Sequence, residues 1–434
     1  MEHLKMSVLA AERACLDRAG LLFGSGRLGP VSKLRHHRNM ADYPGFFSVT
    51  AEVMSRNSLG SLIAAGGGLT ASRALSAACG EAMERLCLQT PAVSTDPVTA
   101  NTLSGEVIDP RRLLYFTPEQ YAQTNFPLKP YKSSVPIHWV SGHSLVDERP
   151  VWVPAFAVYG ATAVSDPFGP HDHIVSTGCA CALTKDAAIL NGLYEVIERD
   201  SFMIHWENRW PGSDRPLPDY CLSLSDRLAK CGFQLEVRCL DNDLAIPVAV
   251  AAVADQENGR ASMAFGAAAR ANWNQAAERA CEEAVLTSFW VTGQLSRAHA
   301  DFSDVYREMD GLADPARHAF LYGFDEMKET ARCLFEPIDE IPELDSGPAN
   351  PDAEMTWLLG KLVGAGMEPF FVDITLDSIA ALGFTVQKVL VPGLTPLARG
   401  RHARPLANGR LANVPRRLGR VACRDFNPEP HPFP

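Results

Sequence analysis

The sequence predicts an α+β fold in which helices pack against mixed β-sheets. Three long segments repeat small and apolar residues at spacings of three and four, which is typical of buried helices. These segments are residues 69–89, 184–203 and about 273–292. Shorter β-rich runs alternate with them, at residues 136–164, 233–240, 246–254 and 370–374. No GxxxxGK string followed by Ser or Thr occurs, so the chain lacks a P-loop.

The remaining segments complete the predicted organisation. Residues 5–20 have the spacing of an amphipathic helix, and residues 21–50 are rich in Gly, Pro, Arg and His. We therefore expect residues 1–60 to be an N-terminal helix and irregular segment of the same domain as residues 61–434, which end in a Pro-rich tail. Residues 336–354 contain four Pro and seven acids without Lys or Arg, which indicates an exposed acidic loop.

Composition and charge exclude several classes of protein. The formal net charge is −11, from 40 Lys and Arg against 51 Asp and Glu, which disfavours general duplex binding because that requires a basic surface. The 11 Cys are scattered, as is typical of reduced cytosolic thiols. The sequence shows no signal-peptide pattern and no apolar run near the roughly 20 residues of a membrane span. We expect a cytoplasmic protein that binds neither nucleic acid nor membranes.

Two of the predicted helices carry the same charged motif. Residues 81–85 read EAMER, and residues 195–199 read EVIER. Glu residues three apart share one face of a helix, so each motif presents two carboxylates beside an Arg. The third helix places Arg279 and Glu283 four apart, again on one face. Because these helices are otherwise apolar, we expect the carboxylates to lie at the edge of a core.

These motifs have two interpretations. The string ExxER consists of good helix formers, so it is compatible with solvated ion pairs on helix surfaces. The functional interpretation is a site for a hard cation, because clustered carboxylates repel one another unless a cation neutralises them. Mg²⁺ prefers oxygen ligands that it shares with substrate phosphates, and Arg side chains bind phosphate oxygens. The motifs alone leave both interpretations open.

Longer segments around these motifs carry a resemblance to a known family. They are AAGGGLTASRALSAACGEAMER at 64–85, STGCACALTKDAAILNGLYEVIERDSF at 176–202, FGAAARANWNQAAERACEEA at 265–284 and VDITLDSIAALGFTVQKVLVPGLTPL at 372–397. In this order, with the final PEPHPFP, they resemble the YcaO family of ATP-dependent peptide-modifying enzymes. The joint order and spacing of the segments are specific, whereas each segment alone is not.

The resemblance implies a YcaO-type ATP-binding fold without a P-loop, with ATP and Mg²⁺ as cofactors. The implied metal-side residues are Glu81, Glu84, Glu195, Glu198 and Glu283. The implied nucleotide-side residues are Arg85, Arg199, Arg279, Ser176 in the turn before the second helix, and Ser76. Family members often have Ser at the position of Ala77 and Lys within the glycine run at 66–68, so this chain departs from the family pattern at both places.

The final residues 428–434 read PEPHPFP. Alternating Pro favours stiff polyproline II, which loses little entropy on ordering. Composition alone indicates a disordered or partner-binding end. However, azoline-forming members of the YcaO family end in a similar PxPxP tail, and the resemblance implies that this tail enters the active site. The terminal carboxylate of Pro434, which is ionised at neutral pH, would then be a general base, and His431 a candidate proton shuttle.

The resemblance also implies an activity and partners. The activity is ATP-dependent conversion of Cys, Ser or Thr residues of a ribosomal precursor peptide to thiazolines or oxazolines, through phosphorylation of the backbone amide oxygen. The implied partners are the precursor peptide, a separate E1-like leader-binding protein (since no additional N-terminal module is evident) and an FMN-dependent dehydrogenase. A homodimer within a larger complex is the expected assembly. Alternatives are a thioamide- or amidine-forming YcaO enzyme and a non-catalytic ATP-binding scaffold, which the complete set of motif Glu disfavours.

A group of His and Cys residues and an Arg-rich segment also stand out in the sequence. His171, His173, Cys179 and Cys181 lie close together in the sequence, but their spacing matches no common zinc site, so we do not predict zinc. Residues 399–424 contain eight Arg and no acid. This segment is either a solvated or partner-docking surface, or a surface that faces the nucleotide or an acidic leader peptide.

Overall fold

The computed structural model describes residues 31–37, 46–54, 61–93, 96–160, 168, 176–257, 259–297, 300–338 and 344–433. Helices and strands of these residues form an α+β fold, which confirms the predicted class. The predicted helix at 5–20 and the terminal Pro434 lie outside the described residues.

The strands form three sheets within the described ranges. They are β1 (Val31–His37), β2 (Phe47–Met54), β3 (Ser61–Gly68), β4 (Glu106–Val107), β5 (Trp139–Ser144), β6 (Pro150–Pro154), β7 (Cys179–Ala182), β8 (Phe233–Cys239), β9 (Val248–Asp255), β10 (Met263–Ala269), β11 (Phe370–Asp373) and β12 (Thr385–Leu390). The strand orders are β1-β2-β3, β10-β9-β8 and β4-β6-β5-β11-β12-β7. Only β4 and β6 pair in parallel, so the six-stranded sheet is mixed.

The helices include the three long ones that the sequence predicts. They are α1 (Ala71–Leu88), α2 (Pro118–Ala122), α3 (Lys185–Asn208), α4 (Asp219–Ala229), α5 (Trp273–Leu295), α6 (Phe302–Glu308), α7 (Pro315–Leu321), α8 (Lys328–Arg332), α9 (Pro351–Gly364), α10 (Asp377–Ala380) and α11 (Arg410–Arg417). The side chains of Thr70, Thr184 and Asn272 accept backbone hydrogen bonds at the starts of α1, α3 and α5. This capping satisfies otherwise unpaired N–H groups and fixes where the helices begin.

Helices α1 and α5 pack on their sheets in the same way. Helix α1 lies on β3 and β2, and α5 lies on β10 and β9. A Cβ atom at Gly66 of β3 would clash with the backbone oxygen of Ala74, and a Cβ atom at Gly266 of β10 would clash with that of Ala280. Each helix therefore approaches its strand more closely than any residue with a side chain would permit.

Helix α3 is the central helix of the fold. It packs against β12 and β7 of the six-stranded sheet and against β10 of the second three-stranded sheet. Most of its residues are buried, including the polar residues Glu198 and Asp200. Helix α1 also contacts β7, and α5 contacts β3. The three motif-bearing helices are thus linked through the strands that they share.

The predicted boundary at residue 60 falls within a sheet. Strand β2 pairs with β3 over eight residues, from Phe47 opposite Gly68 to Met54 opposite Ser61. The described part of the N-terminal segment therefore contributes strands to the same unit as the residues that follow. No helix in the described ranges has the length and apolar character required to cross a bilayer.

The acidic segment 336–354 is only partly the exposed loop that composition predicts. Helix α9 begins inside it, capped by Asn350. Glu354 is buried, and its Oε1 accepts a hydrogen bond of 2.5 Å from the hydroxyl of Tyr194. Composition does not reveal this tertiary contact with Tyr194, which holds Glu354 in the interior. Residues 339–343 lie outside the described ranges.

The Arg-rich segment 399–424 contributes largely to internal ion pairs. Arg410 forms hydrogen bonds of 2.8 and 2.7 Å with the buried carboxylate of Asp200. Arg404 pairs with the buried Glu207. The exposed arginines of the segment are Arg416, Arg417 and Arg424. The two buried arginines, Arg404 and Arg410, therefore fasten this segment to α3.

We expect Gly66→Ala to destabilise the protein by about 2 kcal/mol or more, because the added methyl group meets backbone atoms of α1 that cannot move independently. Gly80→Ala is the matched control within α1. A Cβ atom there contacts nothing within 4 Å, so this change should stabilise the helix by about 0.5–1 kcal/mol. Urea unfolding of the two variants and the wild type measures both effects. Equal stability of Gly66→Ala and the wild type would contradict the close approach.

Candidate functional site

The predicted carboxylates come together where α1, α3 and α5 face one another. The negative charge of Glu195 is one cause of the raised pKa of Glu84. In the same way, Glu283 and Glu195 contribute to the raised pKa of Glu198. Side chains from three helices that are distant in sequence are thus close enough for their charges to interact. The structure brings together residues that the motifs only relate in pairs.

Strand backbone groups orient these carboxylates. The N–H of Ala65 donates to Glu81 Oε2 at 2.8 Å, and the N–H of Cys181 donates to Glu84 Oε1 at 2.7 Å. Backbone groups of Gly178 and Ala267 interact in the same way with Glu195 and Glu283. Each helix therefore presents its acids to an adjacent strand or turn, and the N–H donors fix the direction in which the carboxylates point.

Desolvation makes this group of carboxyls difficult to ionise. Burial is the largest cause that raises the pKa of Glu84 and of Glu198 to about 8, and neighbouring carboxylates raise both values further. Burial also raises the pKa of Glu195 and of Glu283. A cation placed among them would reverse this effect, because its charge favours the ionised form of each carboxyl. The arrangement fits a site for a hard cation.

Arg199 is the motif arginine with unused hydrogen-bonding capacity. Its Nε lies 3.3 Å from Glu198 Oε1 as an ion pair. Nevertheless, its buried Nε and Nη1 atoms have no hydrogen-bond partner among the described residues. Because a buried charged donor without an acceptor is costly, this guanidinium is suited to receive anionic oxygens such as those of a phosphate.

Arg85 behaves differently from Arg199. Its Nε and Nη2 donate to Glu81 Oε1 at 2.9 and 2.5 Å. Almost half of the Arg85 side chain, 47%, is exposed. This pair therefore matches the solvated ion pair that good helix formers on a surface would produce, whereas the pair on α3 does not.

Arg279 bonds to Glu282 and not to the predicted neighbour on its face, Glu283. Its Nη1 donates to Glu282 Oε2 at 3.0 Å. Glu282 is buried, and it also accepts hydrogen bonds from Arg73 at 2.7 Å and from the Tyr220 hydroxyl at 2.9 Å. Because Arg279 and Glu282 are three apart, the motif permits this pairing equally well; the contribution of Arg73 comes from tertiary structure alone.

The two candidate serines have different surroundings. The Oγ atom of Ser76 is buried without a hydrogen-bond partner among the described residues. Ser176 is exposed in the turn that precedes β7, where its backbone oxygen accepts a hydrogen bond from Cys179. A nucleotide contact by either residue stays a prediction.

Two cations beside the carboxylates, Lys388 and Arg270, were not predicted from the sequence. Lys388 in β12 is buried, and its Nζ donates to the backbone oxygen of Thr177 at 2.5 Å. Burial lowers the pKa of Lys388 to about 8, while Glu195 acts in the opposite direction. Burial also lowers the pKa of Arg270, which interacts with Glu198 and Glu283. The available signal was a Lys within TVQKVL, a strand that contains no other charged residue.

These groups fit a magnesium–nucleotide complex better than a metal held by protein ligands alone. No three His, Cys, Asp or Glu side chains in the described part of the chain are grouped closely enough to hold a metal ion. Mg²⁺ commonly uses one or two protein carboxylates, with waters and substrate phosphates completing its ligands. The carboxylate oxygens and the unpartnered donors of Arg199 supply both halves of such a site. Of the cluster considered for zinc, His171 and His173 lie outside the described residues.

The C-terminal tail packs on the same central helix. Trp206 Nε1 donates to the backbone oxygen of Glu429 at 3.1 Å, and the Tyr322 hydroxyl donates to that of Pro430 at 2.5 Å. The tail is thus docked by hydrogen bonds to its backbone, although composition alone indicates a disordered end.

Phe433 links the tail to the charged cluster. Its buried ring contacts Phe202 edge to face, with centroids 4.2 Å apart. The same ring lies 5.4 Å from the guanidinium carbon of Arg199, a distance at which a cation attracts an aromatic face. His431 is buried with its ring nitrogens facing backbone groups. Pro434 lies outside the described residues, so its role as a base stays a prediction.

The fold and the acidic cluster of Glu81, Glu84, Glu195, Glu198 and Glu283 fit a class of α+β proteins that bind ATP and Mg²⁺ without a P-loop. Residues 65–395 match the family described as YcaO cyclodehydratase, ATP- and Mg²⁺-binding. Because this match covers most of the chain, the protein belongs to the YcaO cyclodehydratase family. The predicted family and its cofactors, ATP and Mg²⁺, are thereby confirmed.

Individual relatives are more distant. An uncharacterized protein of Methanothermobacter thermautotrophicus is 29% identical over 280 residues, which cover 59% of this chain and 65% of the relative. The present chain thus spans about two thirds of that relative's length.

Solved structures support the fold. A heterocyclase in complex with substrate and cofactor is similar with a TM-score of 0.77 and 22% identity, over 98% of this chain and 57% of that one. YcaO from Methanopyrus kandleri, bound with AMPPCP and Mg²⁺, is similar with a TM-score of 0.62 and 20% identity, over 89% and 91% of the two chains. The E. coli microcin synthetase McbBCD complex gives a TM-score of 0.54 and 11% identity, over 82% and 86%.

We expect the stability of the Mg²⁺-free protein to fall as the pH rises from about 5 to 8. Glu84 and Glu198 have a pKa of about 8 in the folded protein against an ordinary 4.5, so the folded state binds more protons than the unfolded state in this window. Each carboxyl then costs up to about 1.4 kcal/mol per pH unit.

Urea unfolding in EDTA at several pH values measures this slope. The double variant Glu84→Gln with Glu198→Gln is the matched control, because its amides do not titrate. The same pH slope in this variant and in the wild type would show that the two carboxyls are ionised normally in the folded protein.

Proposed function

We propose that the protein is an ATP-dependent peptide cyclodehydratase that forms thiazolines or oxazolines from Cys, Ser or Thr residues of a ribosomal precursor peptide. The observation that carries this proposal is the docking of a PxPxP-type tail against the helix that bears EVIER. In that position Phe433 lies beside Arg199. Phe433 of the tail and Arg199, the proposed nucleotide-side arginine, therefore lie at one location.

The chemistry follows from the poor leaving ability of an amide oxygen. The side-chain thiol or hydroxyl of the substrate adds to the preceding backbone carbonyl, which gives a hemiorthoamide. Its oxygen takes the terminal phosphoryl group of ATP, and loss of phosphate with a proton from nitrogen leaves the C=N bond of the azoline. ATP becomes ADP and phosphate, and the peptide loses one water per ring.

The Glu residues of the acidic cluster and the nearby Arg and Ser residues have distinct roles in this proposal. Glu81, Glu84, Glu195, Glu198 and Glu283 are the metal-side residues, of which one or two would bind each Mg²⁺ directly while the others add negative charge around it. Mg²⁺ neutralises phosphate charge when bound. Arg85, Arg199 and Arg279, with Ser76 and Ser176, would contact or orient the nucleotide. Their work is positioning and charge neutralisation, because the phosphoryl transfer itself needs little covalent help from a protein.

The proposed base is the carboxylate of Pro434, at the end of the docked tail. Glu429, Pro430 and Phe433 of this tail contact Trp206, Tyr322 and Phe202, respectively. His431 is the second candidate for proton transfer, but in this conformation both of its ring nitrogens are bonded to backbone groups. The hydrogen bonds of His431 therefore disfavour it as the proton carrier, and we propose the terminal carboxylate first.

Partners are proposed on the same basis. One similar structure is a heterocyclase with substrate, and others are the microcin synthetase McbBCD complex alone and with pro-MccB17 bound. These support a peptide substrate and a multiprotein assembly for the present chain. We include in the proposal a separate E1-like leader-binding protein, an FMN-dependent dehydrogenase acting on the azolines, a homodimeric arrangement and a cytoplasmic location.

The tail assignment predicts that a few residues added after Pro434 abolish ring formation while ATP binding persists, because the carboxylate is displaced from its position. Mass spectrometry of the precursor peptide, incubated with ATP and the leader-binding partner, measures ring formation as loss of water. The same additions at the N-terminus are the control. Ring formation at the wild-type rate with the C-terminal extension would remove the tail from the mechanism.

The product mass also distinguishes the alternatives. A thioamide would increase the mass by the difference between sulfur and oxygen, and a macrocyclic amidine would make the product resistant to linear sequencing between the joined residues. An unmodified peptide with tight ATP binding would instead identify a non-catalytic scaffold.

Glu84→Gln and Glu198→Gln should each lower Mg²⁺-dependent ADP release at least about 100-fold, because each removes a charge that offsets the cation. Asp186→Asn is the matched control, since Asp186 is exposed at the start of the same helix α3. A coupled assay for ADP, repeated over a range of Mg²⁺ concentrations, gives both the rate and the apparent metal affinity. Unaltered ADP release in both Gln variants would refute the magnesium assignment.

A further inference from the structure

Two histidines that no motif relates are stacked at the base of the tail. His318 lies in α7, and His431 lies in the tail itself. Their ring centroids are 4.3 Å apart and their planes differ by 26°. Both side chains are buried. The contact therefore joins the C-terminal segment to a helix more than 100 residues earlier in the chain.

The hydrogen bonds determine the tautomer of each ring. The N–H of Gly400 donates to His318 Nε2 at 2.8 Å. That nitrogen must be unprotonated, so Nδ1 carries the proton, which it donates to the backbone oxygen of His431 at 3.0 Å.

His431 has the opposite tautomer. The N–H of Phe433 donates to its Nδ1 at 3.3 Å, so Nε2 carries the proton and donates to the backbone oxygen of Ala398 at 2.8 Å. All four ring nitrogens thus form hydrogen bonds with backbone groups. The four bonds can exist together only when both rings are neutral.

We propose that His318 and His431 form a pH-sensitive clasp that holds the C-terminal tail beside Arg199, with His318 as the residue that positions the tail. A proton added to His318 Nε2 would point at the N–H of Gly400, and a proton added to His431 Nδ1 would point at the N–H of Phe433. In either case an accepting nitrogen becomes a donor facing a donor, so a bond that holds the tail is lost.

The surrounding charges act in the same direction with one exception. Arg199 faces His431, and Arg399 faces His318, so both guanidiniums oppose protonation. Asp314, at the start of α7, is the acid that favours a charged His318. Elsewhere on the tail, Glu429 accepts a hydrogen bond from Tyr306 and lies near Arg401. Burial is nevertheless the largest cause that lowers the pKa of His318 to about 4, and it lowers that of His431 well below its ordinary range.

The sign of the pH effect follows from these values. The docked tail requires neutral rings, whereas the released rings titrate near the ordinary value of 6.5. Docking is therefore strongest above pH 6.5 and weakens as the pH falls toward about 4. For each histidine that is exposed on release, the docking equilibrium decreases by up to about tenfold per pH unit in this window.

Hydrogen exchange of the intact chain, measured by mass spectrometry, tests the clasp directly. The tail has backbone N–H groups at Asn427, Glu429, His431 and Phe433, because Pro occupies the positions between them. Their protection factors, in which the intrinsic pH dependence of exchange cancels, should decrease between about pH 7.5 and 5.5 in the wild type. Peptides from the buried strand β9 serve as the control for global unfolding.

Two variants of His318 separate the clasp from general packing. His318→Phe keeps an aromatic ring without hydrogen bonds or a titrating group, and it should lower tail protection at least about tenfold at pH 7.5. His318→Asn can still donate to His431, so it should retain part of the protection with a shallower dependence on pH. Wild-type protection in both variants, or a wild-type tail whose protection does not change with pH, would overturn the proposal.

The consequence for catalysis rests on the proposed function of the tail. If the clasp positions the tail for the reaction, His318→Phe should lower kcat for ring formation with little change in KM for ATP. If exchange shows a released tail while ring formation proceeds normally, the clasp is established and the catalytic role of the tail is refuted. The two ideas therefore fail in different measurements.

Discussion

The structure depends on holding several buried carboxylates from three helices close to one another. Burial and mutual repulsion both raise the pKa of Glu84 and Glu198. The chain supplies partial compensation through Arg199, Arg270 and Lys388, and strand N–H groups fix the directions of the acids. This cluster thus combines carboxylates of the kind that Mg²⁺ prefers with cationic groups of the kind that bind phosphate oxygens.

Close packing of helices on strands makes this cluster of carboxylates possible. Hydrogen bonds of 2.7–2.8 Å from strand N–H groups to Glu81 and Glu84 require α1 to approach β3 and β7 closely. Gly66 allows that approach, since a methyl group there would meet the backbone of α1, and Gly266 has the same function under α5. The glycine run that the sequence shows before the first ExxER therefore serves the geometry of the carboxylates as well as the packing of the sheet.

The sequence predicted the parts of this site that are local. Spacing and capping residues indicate α1, α3 and α5. Helical geometry then places Glu81 and Glu84 on one face of α1, and Glu195 and Glu198 on one face of α3. Contacts between distant segments were not predictable. Arg279 could have paired with Glu282 or Glu283, and nothing in the sequence relates Arg73 to Glu282. Lys388 is the one charged residue of β12. Its burial beside Glu195 becomes clear only when β12 is placed next to α3.

The Arg73–Glu282 hydrogen bond joins residues 209 positions apart, and the Arg410–Asp200 bond joins residues 210 positions apart. Loops of this length are costly to close before the contacts that reward them exist, and such topologies fold slowly. The raised pKa values of Glu84 and Glu198 depend partly on acids from other helices, so they belong to the assembled fold and not to α1 or α3 alone. A chain that had formed these helices without packing them together would therefore have the motifs without the acidic cluster.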